Sequence, residues 1–294
     1  LFMGYGNMTQ KYCKLLKKYK NNLIIKHYTK RNVSNNLYNN LNKLKLYNPD
    51  LIFICSSTSN HYKHLSLVNN IFKDKLIVVE KPLFHKFKKL KKKNRIYVAY
   101  NLRYDPLIQD LKKKIKNQKF WSVEVYCNSY LPNWRDRNYS KTYSAKKKFG
   151  GGVLLDLSHE LDYLTWIFGD LDLKYSFNKK ISNLKIDTDD ILLLNAIVKN
   201  KKTIINLAIN FFSKVNKREI QVESDGVSIH ADIINNKLII YEKGKKQVLT
   251  WSKFKNLDTY KKEHISILKK DFVNLCSLSE SLKLLKFIKK IRQR

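Results

Sequence analysis

The sequence predicts an α/β protein of two domains. Residues 1–103 are expected to form a doubly wound parallel sheet, and residues 104–294 an α/β domain built on a largely antiparallel open sheet. Two observations carry this expectation. Early in the chain the apolar runs are short and continuous, as in strands buried on both faces by helices. Later runs alternate apolar with polar residues and follow one another across short turns, as in an antiparallel sheet with one buried face.

The first residues, LFM, read as the end of a strand, expected to be truncated, that runs into Gly4-Tyr5-Gly6-Asn7-Met8-Thr9 and a helix over about 10–19. Strands follow at 23–25, 51–55, 76–79 and 96–100, with helices between them near 37–47 and 60–72. In the second half, strands are expected at 121–130, 191–198, 203–212, 219–223, 227–232 and 237–242, and closing helices at 260–276 and 279–291. Between the two sets lies FGGGVLLDLSHELD, residues 149–162. Three consecutive glycines permit backbone angles closed to other residues, so this turn is expected to pass close to a ligand. The segment after it reads as one helix, with Leu154, Leu155, Leu157, Leu161 and Leu164 along an apolar stripe and Asp156, His159 and Asp162 on a second side. A histidine between carboxylates is either a proton donor and acceptor near neutral pH or a satisfied structural residue beside a capping acid.

A hydrophobic content of 43% over 294 residues excludes a disordered chain. No apolar run has the length of a membrane span, and LFMGYGNM lacks the charged and apolar regions of a signal peptide, so a cytoplasmic location is expected. Cys13, Cys55, Cys127 and Cys276 are scattered without ligand-like spacing, which favours free thiols over disulfides and implies no metal site. The net charge of +35 attracts polyanions in general, but the lysines are spread along the whole chain while Gly is held to 8 and Pro to 4. This is a compositional drift rather than a basic face, and no specific nucleic-acid partner is expected. Residues 86–95, HKFKKLKKKNR with its preceding histidine, read as a solvated helix face.

Several motifs cluster at the expected carboxyl edge of the first sheet, where ligands bind in such folds. Gly4 and Gly6, with Asn7 and Met8 opening the helix, are either a turn that holds two glycines by chance or a phosphate cradle in which backbone N–H groups and the helix dipole face an anion. Thr9 occupies the place of the third glycine of the usual pattern. After the second strand stands Tyr28-Thr29-Lys30-Arg31, with no carboxylate for the ribose hydroxyls. Thr29, Lys30 and Arg31 are either an ordinary basic turn or a seat for a 2′-phosphate, which favours NADP over NAD. Ser56, Ser57, Thr58 and His61 form a small polar loop, and Glu80-Lys81-Pro82 ends the fourth strand. The loop before the glycines is either an exposed basic loop of a lysine-rich chain or a substrate border in which Trp134 stacks on a sugar ring and Arg135 and Arg137 hold an anion in bidentate fashion.

The order and spacing of the glycine turn, the 56–61 loop, Glu80-Lys81-Pro82, residues 101–106 and the 150–162 segment resemble the Gfo/Idh/MocA family over nearly the whole chain. The family takes its name from glucose-fructose oxidoreductase, inositol dehydrogenase and rhizopine catabolism. The resemblance implies a Rossmann domain that binds NAD or NADP through Gly4, Gly6, Asn7, Met8, residues 29–31, Ser56, Ser57, Thr58, His61, Glu80 and Lys81. It implies hydride transfer to or from a hydroxyl or keto carbon of a sugar. Lys81 and His159 match the family's catalytic lysine and acid–base histidine, and Asp156 the carboxylate before that histidine, although the family more often spaces the two by four residues rather than three. Arg103, Trp134, Arg135 and Arg137, with Lys81, Asp156 and His159, are expected to meet the substrate. Family members of similar appearance around 134–163 are associated with surface-polysaccharide and acidic-sugar biosynthesis, and homo-oligomers built through the second sheet are common. The alternatives are a regulator that binds dinucleotide and sugar without turnover, or a nucleic-acid-binding protein supported by charge alone.

Overall fold

A computed structural model describes residues 1–38, 40–91, 93–116 and 118–293. In chain order the elements are β1 (Phe2–Met3), α1 (Asn7–Tyr19), β2 (His27–Tyr28), α2 (Leu41–Tyr47), β3 (Leu51–Ile54), α3 (Thr58–Ile71), β4 (Leu76–Glu80), β5 (Arg95–Ala99) and α4 (Pro106–Ile115). Then come β6 (Phe120–Tyr130), α5 (Val153–Asp156), α6 (Ser158–Phe168), β7 (Leu171–Lys179), β8 (Ile191–Val198), β9 (Ile204–Asn210), β10 (Phe212–Ser224), β11 (Val227–Asp232), β12 (Lys237–Glu242) and β13 (Lys245–Thr250). The chain closes with α7 (Asn256–Leu268), β14 (Cys276–Ser277) and α8 (Leu278–Arg292). It divides into two compact units, Leu1–Asn101 with Tyr260–Leu285, and Leu102–Thr259 with Lys286–Arg294.

The first unit holds a six-stranded sheet in the order β14-β5-β4-β3-β1-β2. All neighbouring pairs are parallel except β14 with β5. Ile52, Phe53 and Ile54 of β3 and Ile77, Val78 and Val79 of β4 are all buried, as a sheet covered on both faces requires. Because β2 and β3 flank β1 on opposite sides, the strand order reverses beside β1, and the crevice at the carboxyl ends of β1 and β3 is the topological switch point.

The second unit holds an eight-stranded sheet in the order β13-β12-β11-β10-β6-β9-β8-β7. Its pairs are antiparallel apart from β6 with β9. Burial alternates along β9 and β11, so one face is packed and the other open. Val123, Val125, Leu192, Leu194, Ile205 and Leu207 line the packed face, and α5 lies against β8 and β9.

Four expectations are corrected. The apolar run at 23–25 is not a strand: Ile24 is 78% exposed, and pairing begins at His27. The basic run 86–95 forms no helix among its described residues, and its end enters β5. The helix expected over 260–276 stops at Leu268, where Lys270 takes a positive φ of 57° and the chain turns to give β14 its place beside β5. Residues 260–285, expected in the second domain, group with the first unit. The Tyr12 ring there lies edge-on to His264 at 4.1 Å, and Phe53 stacks on the same imidazole at 5.6 Å. Among the described residues no helix is long and apolar enough to cross a membrane, and no group of three or more His, Cys, Asp or Glu could hold a metal ion. All four cysteines are free thiols.

Candidate active site

In the first unit the cofactor-type residues gather at the switch point. The Gly4 N–H donates to the Tyr28 carbonyl, and the Cys55 N–H to the Met3 carbonyl, which brings the ends of β1, β2 and β3 together. Gly4 has φ +110°, and a Cβ there would sit 2.9 Å from the backbone of Ser56. Its glycine is thus required both by the backbone angle and by the close approach of two strand ends. Around Gly6, by contrast, a Cβ would meet nothing within 4 Å among the described residues, so the turn is open before α1, whose first residue Asn7 is exposed and next residue Met8 half-buried. Thr9, standing in for the third glycine, is buried and its hydroxyl donates to the Gly4 carbonyl, closing the turn from within. Among the described residues the buried Ser56 hydroxyl finds no hydrogen-bond partner. An open glycine cradle at a helix start beside an unsatisfied hydroxyl fits the phosphates of a dinucleotide.

The loop after β2 is built by Asn36, a residue the sequence reading did not single out. Its side chain accepts from the Thr29 N–H and donates to the carbonyls of Thr29 and Arg31. Thr29 is buried, and its hydroxyl accepts from the Arg31 N–H, while the Lys30 and Arg31 side chains stand exposed.

On the far side of Gly4, Ser57 precedes α3 and shares a hydrogen bond with Ser59, and Thr58 is buried. His61 is buried with both ring nitrogens 3.0 Å from carbonyl oxygens, Nδ1 at Pro82 and Nε2 at Ser56. It joins the loop after β3 to the turn after β4. Burial lowers its pKa, against the opposing effect of those carbonyls. Glu80 ends β4, and the Lys81–Pro82 peptide that follows is cis. The fully buried Tyr12 of α1 donates its hydroxyl to Glu80. Burial raises the Glu80 pKa, while Tyr12 and Lys81 pull it down. His61 and Tyr12 therefore fix the residues on both sides of a half-exposed Lys81. Tyr12 was not identified from the sequence, because its stripe on α1 reads as core.

In the second unit the glycine turn has a different purpose from the expected one. A Cβ on Gly151 would lie 2.2 Å from the Tyr143 carbonyl and 2.5 Å from that of Ser144. On Gly152, at φ +113°, it would lie 2.3 Å from the Asp189 carboxylate. The glycines make room for the protein's own backbone and for a capping acid. Asp189 accepts from the Leu154 side of that turn, taking the Val153 N–H on its carbonyl and the Leu154 N–H on its carboxylate.

The expected single helix is broken at Leu157, with φ −97° and ψ 25°. Asp156 ends α5 and is 5% exposed, whereas His159 is the second residue of α6 and half-buried. The three-residue spacing therefore does not describe one continuous helical face. Asp162 is drawn elsewhere: its two oxygens accept from Arg103 Nε at 2.9 Å and Nη2 at 2.8 Å. Arg103, expected to meet substrate, is 2% exposed and commits its guanidinium to this buried fork.

Trp134 is half-buried, with its ring edge-on to Phe211 at 5.0 Å. The Arg135 guanidinium lies 5.2 Å from the centre of the Tyr143 ring, and Arg137 is exposed. Lys81 and the nucleotide-type residues thus belong to the first unit, and Asp156, His159, Trp134, Arg135 and Arg137 to the second.

A mostly parallel six-stranded sheet followed by a mostly antiparallel eight-stranded one is the fold of the Gfo/Idh/MocA oxidoreductases. Residues 112–222 match the model for the oxidoreductase family, C-terminal alpha/beta domain, and the family resemblance carried by the motifs is borne out. YteT of Bacillus subtilis (strain 168) is 23% identical over 136 residues, which are 43% of this chain and 31% of that protein. The match to this curated relative therefore spans about a third of its length. Two solved structures show the fold over the whole chain. The WlbA dehydrogenase from Bordetella pertussis, in complex with NADH and UDP-GlcNAcA, has a TM-score of 0.76 at 13% identity, covering 99% of this chain and 94% of that one. The super-repressor mutant of Gal80p from Saccharomyces cerevisiae has a TM-score of 0.81 at 15% identity, with the same coverage.

Proposed function

We propose that the chain is an NAD(P)-dependent oxidoreductase that moves a hydride between a nicotinamide and a hydroxyl or keto carbon of a sugar or sugar derivative. The observation that carries this reading is the arrangement around Lys81: a lysine at the carboxyl end of β4, beside the switch point, anchored through Glu80 to the helix that opens on the glycine cradle. Gly4, Gly6, Asn7 and Met8 hold the pyrophosphate, with Ser56, Ser57 and Thr58 around the rest of the dinucleotide and His61 as the tie between its loop and the lysine turn. Exposed Lys30 and Arg31, with no acid beside them, favour a 2′-phosphate and hence NADP.

The bound nicotinamide supplies or accepts the hydride. The chain's own task is the proton and the charge. His159 takes the hydroxyl proton as the carbon is oxidised and returns it in the reverse direction, while the Lys81 ammonium stabilises charge building on that oxygen. Asp156 orients the pair. Trp134, Arg135 and Arg137 border the sugar, which suits an anionic or nucleotide-linked substrate of the kind used in surface-polysaccharide or acidic-sugar synthesis. The protein acts in the cytoplasm and assembles through the open face of its second sheet. There Tyr126, Tyr175, Leu193, Asn195, Asn206 and Ala208 line a shallow hollow, and Tyr175 is 57% exposed.

The likeness to Gal80p keeps a second reading in view, a regulator that binds dinucleotide and sugar without turnover. The two separate on mixing the protein and NADP(H) or NAD(H) with a panel of nucleotide sugars. Turnover expected from the first reading drops by about 10²–10⁴-fold in His159→Asn while dinucleotide affinity is kept. Unchanged nicotinamide absorbance with every sugar supports the regulator.

A further inference from the structure

The helix that carries His159 begins without a cap. Its chain breaks from α5 at Leu157, and among the described residues no side chain caps α6 there. Leu161, Leu164 and Phe168 are buried, the last with its ring edge-on to Phe120 of β6 at 6.4 Å. Apolar burial has no direction of its own, so it leaves the rotation of the helix loosely set. Two buried ion pairs do have direction. Glu160, the residue after His159, is fully buried, and its Oε1 accepts from Arg218 Nε at 2.7 Å and lies 2.5 Å from Nη2. Its Oε2 finds no partner among the described residues, so the pair with Arg218 is what holds this carboxylate. Arg218 stands on β10 in register with Cys127 of β6, on the face that carries the buried Ile220 and Val222. Two residues beyond Glu160, Asp162 takes the Arg103 fork. Positions 160 and 162 lie about 200° apart around a helix, so the sheet grips one side of α6 and the turn before α4 the other.

We propose that Arg218 is a positioning residue for His159: through Glu160 it fixes the rotation and register of the first turn of α6, and so the direction in which the imidazole leaves the helix, with Arg103 and Asp162 holding the opposite side. A carboxylate buried without its cation is strongly unfavourable, so any turn of α6 that draws Glu160 off Arg218 is penalised. Two apolar side chains at these places would tolerate the same turn. Setting a register is the best-attested use of a buried charge or polar group, and it accounts for an ion pair where leucine and methionine would pack with less desolvation. The catalytic meaning of this anchoring rests on the proposed function; the anchoring itself does not.

The test is NMR of the full chain without ligand, with the Cε1 carbons of its 7 histidines labelled and His159→Asn identifying the line. Arg218→Met leaves Glu160 buried without its cation and destabilises the fold. Glu160→Leu with Arg218→Met removes both charges and is expected to melt above that single variant. In the double variant the His159 line is expected to shift and to broaden or split, while His27, His61, His64, His85 and His264 of the first unit keep theirs. In turnover kcat falls by about 10²-fold with KM unmoved, as a small misplacement of a reacting group produces. A pair with a merely structural role would return kcat together with stability. Arg218→Lys keeps a cation at Glu160 where the apolar variants do not fold, and one ammonium in place of a two-nitrogen grip moves the His159 line in the same sense by less. A His159 line that matches the parent's in whichever variants fold, or kcat restored with stability in the double variant, overturns the proposal. A moved line in a protein whose parent turns over no sugar upholds the anchoring and overturns the functional reading instead.

Discussion

Replacing Arg103 by Met separates a structural from a substrate-binding role for this residue. Its guanidinium makes two parallel bonds of 2.9 and 2.8 Å to Asp162, and the two side chains are 2% and 3% exposed. Removing the cation leaves a carboxylate in the interior without this partner, and breaking such a pair costs about 3–5 kcal/mol. Asp162→Leu leaves the opposite charge buried and carries a similar cost. The double variant puts apolar groups of comparable volume in place of the pair and is expected to be more stable than either single one, because the desolvation of both charges is gone. Urea unfolding reports this locally, since Trp166 lies 5.2 Å from the Arg103 guanidinium and its fluorescence senses the site. A substrate-binding arginine would instead leave the unfolding midpoint in place and raise KM. Stability of Arg103→Met within about 0.5 kcal/mol of the parent, the range of ordinary surface changes, refutes the reasoning.

Three further outcomes follow from named contacts. Gly4→Ala forces a side chain into φ +110° and against the Ser56 backbone, so it is expected to cost about 1–3 kcal/mol in thermal or urea melts and to weaken dinucleotide binding in calorimetry. His264, buried with Nδ1 at the Tyr260 carbonyl, has its pKa lowered by burial from 6.5 to about 4. Its folded-state value lies below the unfolded one, so its contribution is whole above pH 6.5. Between 6.5 and 4 the unfolded chain takes up a proton that the folded chain refuses, and roughly 3 kcal/mol of stability is lost. His264→Phe, which keeps a ring on Phe53, flattens that slope in melts across this range, and an unchanged slope contradicts the assignment. Lys30→Ala with Arg31→Ala is expected to reduce the affinity for NADP while leaving that for NAD nearly unchanged, read by fluorescence titration; equal losses for both point to general electrostatics.

What the sequence disclosed was local. Continuous apolar runs at 51–55 and 76–79 identified buried parallel strands, and glycines at 4 and 6 marked a helix entry, because each depends on neighbours in the chain. Pairings across the chain were hidden. Arg103 meets Asp162 59 residues away and Tyr12 meets Glu80 68 residues away, and no periodicity reports such meetings. The break at Leu157 has no proline or glycine to announce it; α5 begins where Asp189 caps it, and that acid lies 35 residues along the chain from Leu154. The apolar stripe of α7 showed that it packs, but a stripe does not name its partner, and His264 packing on Phe53 and Tyr12 is what ties residues 260–285 to the first unit.

The most direct test of the account is a crystal structure of the protein soaked with NADP(H) and a nucleotide sugar. The account predicts the pyrophosphate over Gly4 and Gly6, and the nicotinamide ring with the Lys81 ammonium and the His159 imidazole within about 3–3.5 Å of the reacting sugar oxygen. A dinucleotide bound away from the glycine turn, or a nicotinamide that neither side chain approaches, contradicts it.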